Sequence, residues 1–312
     1  MALTISCETD EILDLEAYIA YVENNVDIRD EDSIADSAVK LRQLANNRDL
    51  IVDRVNHELD DWTSFQTENF YTSQTMMLGR GKEFYIRANM WLPPAKLSQD
   101  QEWQDRLFFY RVPHDHNFSF LTVGHFGSGY ETTIWEYDRA DVKGEPGEQV
   151  PLRLLERTAL TQGKVMLYRA CRDIHSQEHP QECSVSINLI ASPPEIIKTD
   201  QYMFDTDAGK ISANVQKQAA AHIFLCSLAQ HMGNGATASV LEKVSQTHYL
   251  PRVRLAAATA LASIEPEKVR NDVWRSVLTD KDEMVREAAV NVLEGSNTME
   301  IPLLLDDPES TG

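Results

Sequence analysis

Between residues 66 and about 200 the chain is cut into short aromatic and β-branched runs, and this punctuation limits its fold more than any other feature. The runs are EFYIRANMWL, RLFFYRV, FSFLTV, TTIWEYD, KVMLYRA and CSVSINLIA. The breakers are GRGK at 79–82, LPPAKLSQD at 92–100, GSG at 127–129, KGEPGEQ at 143–149 and SPPE at 192–195. Many short strands separated in this way predict an all-β sandwich or barrel. Residues 1 to 65 have another texture. There Ile34, Val39, Leu41, Leu44, Leu50, Ile51 and Val55 recur at helical spacing among acidic residues, so amphipathic helices are expected.

After about residue 212 the chain turns alanine-rich and repeats itself. VRLAAATAL starts at Val253 and VREAAVNVL at Val285, and both fit V-R-x-A-A-x-x-x-L. Small residues on one face let a neighbouring helix approach closely, and LTDKDEMVR supplies a turn and a cap before the second copy. The stretch VQKQAAAHIFLCSLAQ from Val215 reads as a preceding helix. This pattern resembles HEAT repeats, helix pairs that stack into a solenoid and often dock protein partners. The domain reading is therefore helices over 1–65, a β-barrel over 66–200, HEAT-like repeats over 212–298 and an acidic flexible tail over 299–312. The class is α+β and multidomain.

Composition removes several functions. A net charge of −20 argues against nucleic acid as the main ligand, since phosphate binding needs concentrated Lys and Arg. No run of eighteen apolar residues marks a membrane span. The start MALTISCETDEILDLE turns acidic at once, unlike a signal peptide. Cys7, Cys171, Cys183 and Cys226 are scattered without a CxxC pair, which suits free thiols in a reducing, cytoplasmic setting.

The chemistry concentrates in VPHDHNFSFLTVGHFGSGYE, Val112 to Glu131, which holds three of the nine histidines. Alternate residues on a strand share a face, so His114 and His116 can converge on one point inside a barrel. A third nitrogen is expected from His175, before a turn and a final apolar strand. His179 precedes a proline in a polar turn, where solvent exposure is expected. His125 has the opposite strand parity and is expected to point outward or line the mouth.

In order, HDH, a glycine turn, G-x-V-x-x-Y ending at Tyr168, the pair Ile174–His175 and SxxLxxSPP from Ser186 to Pro194 resemble the cupins. Within them the closest resemblance is to thiol dioxygenases of the cysteine dioxygenase type. It begins at YTSQTMMLGRGKEFYIRANMW from Tyr71 and ends at Pro194. It implies a cupin barrel holding Fe(II) through His114, His116 and His175, with O2 and a small molecule as co-substrates. Zinc, nickel or manganese fit the same donors. The family's substrate-gripping arginine is replaced by Ser73. Ser186 is kept, but Asn188 and Ile190 stand where the family has histidine and tyrosine, and NFSFL lacks the crosslinking cysteine.

The implied activity is a non-haem iron oxygenase acting on a thiol or amino-acid-derived substrate other than free cysteine. The alternatives are a non-oxidative metal-dependent isomerase or lyase, and a ligand-sensing scaffold. Arg87 interrupts an apolar strand. It either pairs with an acidic residue of the N-terminal helices or replaces the missing arginine against a substrate carboxylate. Tyr168, with Tyr85 and Trp91, is expected to pack the core. If the helical region only docks a partner, a chain ending near Gln201 is expected to fold and keep its metal, since all three histidines precede residue 176. If it covers an apolar face of the barrel, truncation is expected to give aggregation.

Overall fold

The structure, a computed structural model, describes residues 3–61, 66, 69, 71–215 and 218–295. The expected acidic tail, 299–312, lies outside the described residues. The chain forms two compact units, one of residues up to 196 together with 200–215, the other of 197–199 and the residues from 216 on.

The first unit opens with β1 (Leu3–Ile5) and helices α1 (Leu15–Asn25), α2 (Glu31–Asp36), α3 (Ala38–Ala45) and α4 (Asp49–Asp60). Asp14 caps α1 by accepting the Ala17 N–H at 2.7 Å. Next come β2 (Thr75–Gly81), β3 (Phe84–Trp91), α5 (Ser98–Phe108), β4 (Phe120–Phe126), β5 (Glu131–Glu136) and β6 (Arg153–Ala159). The unit ends with β7 (Val165–Tyr168), β8 (Asp173–Gln177), β9 (Ser184–Ala191), β10 (Gln201–Asp205) and β11 (Lys210–Val215).

An antiparallel sheet runs in the order β1-β7-β4-β9-β3-β2, a second in the order β6-β5-β8, and β10 with β11 makes a hairpin. Strand periodicity sorts the large sheet into two faces. Ile86, Leu121, Val123, Val165, Leu167, Ile187 and Leu189 meet Tyr18, Val22, Ile34, Leu41 and Leu44 of the helices. The N-terminal helices thus share one core with the sheet. Trp91, Phe120, Met166, Tyr168 and Ile190 face the other way and pack with Tyr130 and Ile134 of the smaller sheet. Between the two sheets lies an aromatic interior. Gly127 and Gly129 turn β4 into β5 with φ of 82° and 77°, a region that favours glycine.

Two expectations change. RLFFYRV is not a strand: α5 covers its first three residues, and Phe109 leaves the helix in a left-handed conformation. The helix begins within the presumed breaker LPPAKLSQD, and its buried side, Gln104 and Phe108, has helical spacing. Residues 201–215 form a β-hairpin, so helix begins only at Gln218.

The second unit contains α6 (Gln218–Met232), α7 (Gly235–Thr247), α8 (Pro251–Ile264), α9 (Glu267–Val277) and α10 (Glu283–Leu293). The two repeat motifs are α8 and α10, and Ala256, Ala257, Ala288 and Ala289 are buried as their spacing predicts. α8 is the central helix, packed against α6, α7 and α9. Its Arg254 is 1% exposed and grips Asp280, in the α9–α10 turn, with Nε at 2.8 Å and Nη2 at 2.7 Å. Its Nη1 donates to the His248 carbonyl at 2.8 Å. Among the described residues no helix is long and apolar enough to cross a membrane.

Candidate metal centre

His114 and His175 occupy directly opposed positions. The His114 N–H donates to the His175 carbonyl at 3.1 Å, and the His175 N–H donates back at 2.9 Å. Opposed residues of such a pair project their side chains to one side, so the two rings lie 4.5 Å apart between centroids. His116 is two residues further along the same extended segment, 4.9 Å from His114 and 5.0 Å from His175. One nitrogen from each ring lies within 4.8 Å of the others. The segment is not part of β4, as its sequence pattern suggested, because that strand begins only at Phe120. Its backbone is tied to β8 on one side and β10 on the other: the Asp115 N–H donates to Tyr202 and the Phe204 N–H to Pro113.

Burial depresses the pKa of His175 well below the usual histidine value, with His114, His116 and Arg87 adding to the effect. Burial also lowers His114, opposed by its bond to Val112 and aided by Arg87. Both shifts favour the neutral ring that metal ligation requires. His114 donates Nδ1–H to the Val112 carbonyl at 2.8 Å, leaving the Nε2 lone pair free. Nδ1 of His175 is buried with no hydrogen-bond partner among the described residues, a cost of about 1–3 kcal/mol that ligation through this nitrogen would offset. Three histidine nitrogens from fixed backbone positions fit a divalent metal with open coordination sites.

Aromatic rings wall the cluster. Phe118 stacks on His116 at 4.6 Å, and Phe109 meets His114 edge-on at 5.7 Å. Tyr168 stacks on Phe120 and stands 4.6 Å from His175, so its packing role includes a wall of the site. Asp115 points away from the cluster and is fully buried. Its carboxylate accepts the Tyr137 hydroxyl and the Tyr202 N–H, both at 2.6 Å. Burial lifts its pKa to about 6 against those two bonds.

Arg87 projects from β3 into this interior, on the face opposite the N-terminal helices. A salt bridge to those helices is therefore ruled out by strand parity. Its guanidinium lies over Tyr71 at 4.6 Å, and its Nε is buried with no hydrogen-bond partner among the described residues. Asn188 is buried opposite it, accepting the Thr122 hydroxyl at 2.6 Å and donating to the Arg87 carbonyl at 3.4 Å. Ser186 is also buried, accepting Trp91 Nε1–H at 3.0 Å. Ser73, by contrast, is exposed in a turn.

Two histidines are placed otherwise than expected. His125 is buried, its Nδ1 donating to the Ala45 carbonyl at 2.9 Å, because the N-terminal helices cover that face. The His179 side chain is 3% exposed, bound to Asp105 at 2.6 Å and the Leu92 carbonyl at 3.1 Å. Helix α5, unseen in the sequence pattern, supplies Asp105. All four cysteines are free thiols. Sequence reasoning also missed Gln201, whose Oε1 lies 3.1 Å from His116 Nδ1; no local motif marks it, since it follows the last recognisable strand.

The HEAT repeats family matches residues 212–294, and no curated protein matches the sequence. Among solved structures, one of the DMSP lyases RdDddP and RnDddQII has TM-score 0.26 and 10% identity over 42% of this chain and 52% of its own. Hydroquinone 1,2-dioxygenase PnpCD, with Cd2+ and 4-hydroxybenzonitrile, has TM-score 0.26 and 10% identity over 41% and 69%. The hydroquinone 1,2-dioxygenase from Sphingomonas sp. TTNP3, with 4-hydroxybenzoate bound, has TM-score 0.26 and 10% identity over 40% and 70%. The match to the lyase spans about half of that protein. Likenesses of this size define no activity for the chain.

Proposed function

We propose that the chain is a cupin-type metal enzyme, an Fe(II)-dependent oxygenase acting on a small thiol or amino-acid-derived substrate other than free cysteine. The observation that carries this reading is the convergence of three histidine nitrogens in a buried, aromatic-walled interior. Iron(II) held there would supply open positions at which substrate and O2 meet. The residues of the chain do the rest. His114, His116 and His175 would hold the ion and, as uncharged ligands, would leave its charge to be balanced by an anionic substrate. Arg87, over Tyr71 and with no Nε partner among the described residues, offers a planar edge to a substrate carboxylate. Phe109, Phe118, Phe120 and Tyr168 exclude water from the reacting groups.

The helical unit favours a second role beside this one. α6 exposes Phe224, Leu225, Leu228 and Met232 along its length, an apolar side suited to protein docking. The discriminating experiment is O2 consumption by the iron-loaded full chain over a panel of small thiols and amino-acid derivatives. Substrate-dependent uptake abolished by His175→Ala supports the oxygenase. A protein that binds iron stoichiometrically and consumes no O2 with any of them points to the non-oxidative lyase or isomerase reading.

A further inference from the structure

The tautomer of His116 can be read from a chain of four groups. The Ile196 carbonyl only accepts hydrogen bonds, so Asn117 must turn Nδ2 toward it, at 2.7 Å. That orientation aims Asn117 Oδ1 the other way, where Gln201 Nε2 donates to it at 2.8 Å. Gln201 is thereby oriented in turn, and the atom it presents to His116 Nδ1, at 3.1 Å, is the acceptor Oε1. An acceptor at Nδ1 requires the proton to be there. The lone pair of His116 is left on Nε2.

We propose that Gln201 is a positioning residue of the metal centre, set by Asn117 and the Ile196 carbonyl, which fixes His116 as the Nδ1-protonated tautomer with Nε2 as ligand atom. The proposal rests on the metal reading above. An imidazole held by an acceptor on its far nitrogen is fixed in rotation and made a stronger donor, and loss of such a partner typically weakens metal binding 10–100-fold. His114 obtains the same service from a backbone carbonyl, at Val112. For His116 the acceptor is a side chain, which makes it replaceable. It also lies on β10, in the hairpin beyond the last strand of the large sheet, so the ligand set alone does not complete the centre.

The test uses the full chain with Co(II) as the probe and two variants. Gln201→Leu removes the acceptor, and Gln201→Glu restores one of greater strength. In wild type, a hyperfine-shifted imidazole N–H signal from His116 should appear in water and exchange slowly. Gln201→Leu should lose this slow-exchanging signal and bind Co(II) about 10–100-fold more weakly in chelator competition. Gln201→Glu should recover both. A merely structural role for Gln201 would move the thermal midpoint without moving the His116 signal. Wild-type Co(II) affinity and an unchanged His116 N–H in Gln201→Leu would overturn the proposal. If Gln201→Leu does not fold, the wild-type protein still decides: long-range 1H–15N spectra of the metal-free chain must show His116 protonated at Nδ1, and a proton on Nε2 refutes the assignment. Absence of any Co(II) spectrum would sink the metal reading, while that tautomer measurement would still judge the relay.

Discussion

Asp115 and Tyr202 are joined twice, the Asp115 N–H donating to the Tyr202 carbonyl at 3.1 Å and the Asp115 carboxylate accepting the Tyr202 N–H at 2.6 Å. The buried residue between two candidate metal ligands therefore depends on a hairpin more than eighty positions later in the chain. These bonds argue against a chain ending near Gln201 keeping its metal. Removing residues 201–215 strips partners from Asp115, His116 and Pro113 together. A chain ending at Val215 should fold and bind metal, whereas one ending at Asp200 should be insoluble or metal-poor. Metal analysis of the two truncations checks this, and a metal-replete shorter chain would refute it.

The histidines divide by what their rings touch. Alanine at His114, His116 or His175 should each cut metal content severely. His125→Ala and His179→Ala should keep the metal but lose about 1–3 kcal/mol of stability, because each leaves a buried partner unsatisfied. Metal analysis together with denaturant unfolding of the five variants separates the two groups. Full occupancy in the first three would remove the proposed centre.

Much of this was legible in the sequence, for physical reasons that also explain the failures. Strand periodicity reads directly as faces, but the sequence did not say which face of EFYIRANMW the helices cover, so the structure was needed to place Arg87 opposite Ile86. Small residues at helical spacing likewise marked α8 and α10. What failed was a matter of tertiary context. His125 has the parity of a surface position, but a helical layer covers that surface. His179 sits before a proline in a polar turn, yet α5 brings Asp105 onto it. Gln201 acquires its role from hydrogen bonds to Asn117 and His116, over eighty residues away, and no sequence spacing records such a bond.

Acid should loosen the first unit through Glu136. Arg153 donates to it at 2.6 Å and Arg169 at 3.0 Å, and Arg172 lies 3.8 Å away. The Arg153 bond first, then Arg169 and the charge of Arg172, outweigh burial and hold its pKa at about 2. A carboxylate depressed on folding contributes stability that is fully present above its unfolded value, about 4.3, and is lost as pH falls toward the folded one. Wild type and Glu136→Gln should therefore converge as pH drops from about 4.5 to about 2. Denaturant midpoints across that window test it, and a constant difference between the two proteins would show that Glu136 does not titrate as described.

The helical unit should depend on Arg254 more than on any single apolar contact. Its guanidinium, 1% exposed, spans from the His248 carbonyl before α8 to Asp280 before α10, so one side chain ties together the turns that set two repeats. The pair pulls the Asp280 carboxyl below its usual value despite partial burial. Breaking a buried pair by removing one partner typically costs about 3–5 kcal/mol, since the other charge stays buried and uncompensated. Arg254→Met should therefore lower stability by about that amount. Ala257→Leu, which overpacks the same helix, should cost roughly 1–3 kcal/mol. Arg254→Met combined with Asp280→Leu should recover part of the loss, because the stranded carboxylate is gone. Denaturant unfolding of wild type, Arg254→Met, Asp280→Leu and the double variant, read as a double-mutant cycle, gives the coupling directly. A double variant no more stable than Arg254→Met would mean that the loss comes from the carbonyl contacts rather than from the buried ion pair.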